Sequence, residues 1–216
     1  VPIEILAPSS NLFGWPDTNP KGYEMNDMPT THEMVENIKA VYRQAYPHQH
    51  IAGMEWYEVA NSLCQGWSKK YNVTFEQAAG VLAGISPRLA WNLNVAYCER
   101  ILATGTAPIM HGTLAKVRRI LAGEHPADVL GGRKVMSFYA NIVSPQFDTH
   151  VTVDRHAFDI AVGKVGDDKS RKVLDRKGMY EYVADAYRAA AGDLGVAPCQ
   201  VQAVTWVVWR DSKGGK

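Results

Sequence analysis

From Thr30 onward, apolar residues recur three and four positions apart, the period of helices that bury one face. "TTHEMVENIKAVYRQAY" opens on threonines and acids and closes on bases, the polarity a helix dipole favours. "MEWYEVANSLCQGWSKKY" sets Trp56, Val59, Leu63 and Trp67 at helical spacing, as one apolar stripe. "TFEQAAGVLAGIS" places Thr74 and Gln77 as a capping box, and Pro87 blocks continuation. "WNLNVAYCERILATG" is amphipathic and stops at Gly105, and "TLAKVRRILAG" and "HPADVL" follow. Lys134 to Val143 is nearly all apolar, the pattern of a buried helix. "VTV" is briefly extended, and Asp154 then stands where an N-cap would, ahead of "RHAFDIAVG". "KGMYEYVADAYRAAAGDLG" closes on glycine, and Pro198 suits the first position of a final helix, "APCQVQAVTWVVWR".

About nine helices and essentially no sheet predict an all-α fold, in two helical lobes, with the last helices returning to the N-terminal part. Residues 1–30 differ: rich in Pro, Asn, Gly and Ser, they predict an extended arm packed on the body through Ile3, Ile5, Leu6, Phe13 and Trp15. Residues 31–216 then form a single domain.

Composition narrows the setting. With 216 residues, 46% apolar and 21% charged, the chain has the makeup of a globular protein. No apolar run approaches the roughly 18 residues of a membrane span, and "VPIEILAPSS" lacks the basic and apolar regions of a secretory signal. Cys64, Cys98 and Cys199 lie far apart without a CxxC, which argues for a reducing cytoplasm and against a structural zinc or iron–sulfur site. The net charge of +1 hides an asymmetry: residues 1–60 carry −5, so the remainder carries +6. Its bases cluster at 116–119, 132–134 and 164–177, which permits a polyanionic partner.

The candidate chemistry lies in "GGRKVMSFYANIVSPQFDTHVTVDRHAF", where a glycine turn leads into Lys134 and Asp154 follows twenty residues later. Lys134 reads equally as a surface lysine after a turn and Asp154 as a plain N-cap. "DTHVTVDRH" also offers Asp148, His150, Asp154 and His156 as an oxygen and nitrogen ligand set for a metal.

The order helix, glycine turn, lysine, apolar helix, extended segment, aspartate resembles the helix-hairpin-helix DNA glycosylase superfamily, of which endonuclease III is the best-known type. "LGGRKVMSFYANI" and "VTVDRHAFDIAVG" occupy the places of that family's hairpin with its lysine and of its aspartate element. "FEQAAGVLAGISPRLAWNLNVAYCERIL" and "AKVRRILAGEHPADVLGG" extend the likeness over residues 74–163. Three features depart from the pattern. The hairpin is cut to Gly131-Gly132, the iron–sulfur cysteines are absent, and Pro87-Arg88 stands where the family has a probing glutamine. The layout is also similar to phage and actinobacterial branches, some of which modify thymine in place of excising it.

The resemblance implies two lobes of the glycosylase type, with a cleft near 86–92 and 131–156. It implies an N-glycosylase, with or without AP-lyase activity, that processes a flipped-out modified or damaged base. Asp154 would stabilise positive charge on the sugar, and Lys134, buried beside Phe138 and Tyr139, would attack C1′. Arg88, Trp91, Tyr139, His156, Gln202 and Trp206 are the base-pocket candidates, with Trp209 beside them, and Gly131, Gly132 and Arg133 the contacts to the DNA backbone. The expected partner is double- or single-stranded DNA, bound by a monomer without cofactor, metal or membrane, in the cytoplasm of a bacterium or a phage-infected host. Two other readings stay open: amine substitution on an activated 5-hydroxymethyl-uracil by the same fold, and a DNA-binding protein without catalysis.

Overall fold

The computed structural model describes residues 28–146 and 149–212, so the expected N-terminal arm, apart from its last residues, lies outside the described residues. The fold is all-α, and no strand occurs among the described residues. Twelve α-helices are present there: α1 (Thr31–Arg43), α2 (Pro47–Met54), α3 (Trp56–Tyr71), α4 (Phe75–Ile85), α5 (Trp91–Thr104), α6 (His111–Leu121), α7 (Pro126–Val129), α8 (Arg133–Val143), α9 (Arg155–Val162), α10 (Asp168–Arg171), α11 (Met179–Leu194) and α12 (Pro198–Ser212). A 3-10 turn at Lys172–Asp175 follows α10. None of the described helices is long and apolar enough to cross a membrane.

The local signals act where the sequence puts them. Thr30 and Glu33 close a capping box on α1, and Thr74 and Gln77 close one on α4. Gln77 also donates from Nε2 to the carbonyl of Ile120 at 3.0 Å, so the cap of α4 grips the end of α6 as well. Gly105 ends α5 in the left-handed conformation.

Two elements fall outside the sequence pattern and one expectation fails, each for a tertiary reason. Helix α2 is absent from the pattern because it buries Gln49 and Gly53 in place of apolar side chains. Its support is α12: a Cβ on Gly53 would lie 2.4 Å from the Cα of Val204, so only glycine permits this approach. Residues 168–175, read only as a basic cluster, form α10 and the 3-10 turn, and Arg171 there reaches Asp159 of α9. On α3 the stripe is turned by about one position. The buried residues are Tyr57, Ala60, Cys64 and Trp67, while Val59 is 50% exposed.

The chain divides into two compact units. One is contiguous, Glu55–Thr152, and holds α3 to α8. The other joins the described parts of Val1–Met54 and Val153–Lys216. In the contiguous unit α4 is nearly all buried and packs on α3, α5, α6 and α8. In the other, α12 packs on α1, α2, α9 and α11, with Val201, Val204 and Trp209 in its core.

Candidate functional site

The candidate residues fall into the two units. In the contiguous unit, α7 is seated by Pro126, which lies so close to Gly80 of α4 that a Cβ there would meet it at 2.7 Å. Leu130 and the two exposed glycines then turn the chain into α8. Gly132 takes the N-cap position with φ +81, and α8 has no side-chain cap. Gly132 itself therefore brings no side-chain acceptor to the start of α8, unlike the residues that usually cap a helix. Arg133 and Lys134 form the exposed first turn.

Lys134 differs from expectation. Its side chain is exposed, while Phe138 and Tyr139 face the buried side of α8. The physical reason is its place in the first turn: the buried face of α8 begins at Ser137, one turn further on. Tyr139 is 8% exposed, and burial, then the charge of Glu76, push its hydroxyl pKa up.

Arg88 lies on the exposed loop between α4 and α5 with φ +65, a left-handed conformation uncommon for a residue with a Cβ. Trp91 begins α5 half-buried, and its ring meets that of Trp56 at 4.9 Å and 48°. Trp56 is thus an aromatic neighbour that sequence spacing alone does not single out.

In the other unit, Asp154 is the N-cap of α9. Its Oδ1 accepts hydrogen bonds from the backbone N–H of His156 at 2.9 Å and of Ala157 at 2.8 Å. Its Oδ2 has no hydrogen-bond partner among the described residues, and the side chain is only half-buried. The segment that delivers it is held just before the helix, where the backbone N–H of Val153 donates to the Tyr180 hydroxyl at 3.0 Å.

His156 occupies the first turn of α9, half-buried, and its buried Nδ1 has no hydrogen-bond partner among the described residues. Burial pushes its pKa below the usual histidine value, against the opposing pull of Asp154 and Asp159. Asp159 is 1% exposed and takes a two-pronged contact from Arg171, Nε to Oδ1 at 3.0 Å and Nη2 to Oδ2 at 2.6 Å. Burial raises its pKa and the guanidinium opposes that rise.

Gln202 is 5% exposed, so a base-reading role has to contend with a buried amide. Trp206, one turn on, is half-buried, and the Arg210 guanidinium stands 4.9 Å above its ring, while Trp209 is core. Asp154 and His156 thus come together on α9, against which α12 packs, and Gly131 to Lys134 come together with Tyr139 on α8. Lys134 and Asp154 belong to different units.

The expected metal set is incomplete here: Asp148 lies outside the described residues. Among the described residues, no group of three or more His, Cys, Asp or Glu side chains is placed to hold a metal ion.

A family model matches residues 21–213. The chain belongs to that family, a family of unknown function (DUF7178). The match takes in both units, so the helical body and the candidate residues on α8 and α9 are all within the family's extent. No curated protein and no solved structure matches the chain.

Proposed function

We propose that the chain is a DNA base-processing enzyme, of helix-hairpin-helix glycosylase type, that breaks the N-glycosidic bond of a flipped-out modified or damaged base. The observation that carries this reading is the state of Asp154. One carboxylate oxygen is fixed by two backbone N–H groups, and the other has no hydrogen-bond partner among the described residues, on a half-buried side chain. Such a carboxylate is oriented before any substrate arrives, which is what electrostatic stabilisation of a cationic transition state requires. As the bond between C1′ and the base breaks, its electron pair leaves with the base, which takes up a proton. Positive charge spreads over the sugar ring beside Asp154, and water then bonds to C1′ and gives up the proton that the base takes. The glycine turn and the uncapped start of α8 offer N–H groups to a DNA phosphate.

The exposure of Lys134 favours a second reading on the same fold. Imine chemistry works best with an enclosed amine. In the second reading the DNA backbone stays intact, and an amine displaces an activated group on 5-hydroxymethyl-uracil. One experiment separates these. Purified protein is incubated with duplex and single-stranded oligonucleotides bearing damaged or modified bases, with and without borohydride, and products are read by mass spectrometry. Free base released by wild type but not by Asp154→Asn supports excision, and a trapped adduct lost in Lys134→Ala adds lyase chemistry. An altered nucleoside in an uncut strand supports the second reading. Salt-dependent binding without turnover, unchanged by Asp154→Asn, defeats both and leaves a DNA-binding protein.

A further inference from the structure

The outward face of α3 carries a second apolar stripe that the described residues leave open. Val59, Ser62, Leu63 and Gly66 line an open groove of about 750 Å³ within the contiguous unit. Val59 is 50% exposed and Leu63 half-buried, although both belong to the stripe the sequence marks as helix core.

Gly66 is the sharper anomaly. It sits well inside a 16-residue helix, where glycine weakens the helix relative to alanine. Gly53, Gly80 and Gly84 have a close neighbour that explains them, Val204, Pro126 and Leu130, whereas Gly112 and Gly192 are as open as Gly66 but stand in the first turn of α6 and the last turn of α11. A Cβ on Gly66 would meet nothing within 4 Å. The fold therefore does not need glycine there, whereas a second helix laid close along α3 would.

The rim states the charge of the occupant. Glu55 and Glu58 stand at one end, and Glu99 at the other is engaged by Lys70 at 2.8 Å. Three carboxylates thus face one ammonium. Glu58 also accepts from Gln146 Nε2 at 2.6 Å, whereas the Glu55 carboxylate makes no ion pair among the described residues. From Glu55 to Lys70 the helix rises about 22 Å, roughly four turns.

We infer that this groove docks a cationic amphipathic helix of a partner protein, its apolar face over Val59, Leu63 and Gly66 and its lysines or arginines against Glu55 and Glu58. This inference does not depend on the proposed chemistry.

The test titrates isotope-labelled full chain with a synthetic helix of about four turns, Leu at i, i+3, i+4 and i+7 and Lys on both flanks, followed by amide chemical shifts. The largest shifts are expected at Val59, Ser62 and Gly66. Gly66→Gln puts a long side chain into the groove and replaces glycine with a better helix former, so the unfolding midpoint rises while affinity falls at least about tenfold. Replacing the flanking Lys by Glu weakens binding by a similar factor, about tenfold or more. Shifts centred elsewhere, unchanged affinity of Gly66→Gln, or equal binding of the Lys and Glu peptides each overturn the proposal. So do matching shifts caused by spermidine alone, which would mark a small-amine site. Concentration-dependent dimerisation of the peptide-free chain that Gly66→Gln abolishes would assign the groove to a second copy, and so overturn it too.

Discussion

The starts of α8 and α9 carry the two residues at the centre of the proposed chemistry, and they are built in opposite ways. At α9 the candidate residue is also the cap: Asp154 satisfies two backbone N–H groups through one oxygen. At α8 the N-cap is Gly132 in a left-handed conformation with no side chain to offer, and Lys134 stands one position into an exposed first turn. A residue that also caps a helix has a structural reason to be there, so its presence alone says little about catalysis. A residue in an open first turn has almost none, so an effect of its removal on chemistry is easier to interpret. The two positions therefore demand different experiments.

The largest expected effect belongs to Asp154→Asn. Asparagine caps a helix about as well as aspartate, so the unfolding midpoint should hardly move, while base release should fall by about 10²- to 10³-fold. Equal rates for the two proteins in a single-turnover excision assay would reduce Asp154 to a cap. Asp154→Ala adds the loss of the cap, about 1 kcal/mol, or a Tm lower by roughly 2–4 °C, measured by calorimetry.

At α8, Gly132→Ala forces a Cβ into the left-handed region at φ +81 and should cost about 1–2 kcal/mol in denaturant unfolding. A neutral result there would mean that the turn relaxes freely.

Acid should act on α9 rather than α8. His156 is held below its ordinary value of 6.5 by burial, so below that pH the unfolded chain binds more protons than the folded one. Its contribution to stability is therefore complete above pH 6.5 and is lost as pH falls toward the lowered folded value. Unfolding midpoints measured from pH 7.5 down to about 5.5 should drop, and His156→Gln should flatten the drop. The smallest effect is that of Lys134→Gln on stability, within about 0.5 kcal/mol, because the side chain is exposed. A larger loss would show that Lys134 has a structural partner after all.

Legibility followed the range of the interaction. Caps at Thr30, Thr74 and Asp154 and the stop at Gly105 were readable because each bond spans no more than four residues. The run from Lys134 to Val143 was readable as a helix, but not the exposure of Lys134, since apolar content does not say where a buried face begins. Helix α2 was illegible because its stability rests on the close approach of Gly53 to α12, across some 150 residues of chain. Asp159 was not singled out in the sequence, because its partner Arg171 lies twelve residues on, in a stretch read only as a basic cluster. The Trp56–Trp91 ring contact has the same long-range origin.

By itself the sequence determined that the chain is helical, where most helices start and stop, and which residue caps α9. Those outcomes rest on backbone hydrogen bonding and short-range side-chain capping, which a few neighbouring residues settle. Only the tertiary structure decided which face of each helix is buried. On α3 the choice between Val59 and Ala60 as the inward residue is a rotation of one position. Either stripe satisfies the helical period, and it is packing against α4 and α8 that selects Tyr57, Ala60, Cys64 and Trp67. The same long-range packing left Val59 and Gly66 turned outward.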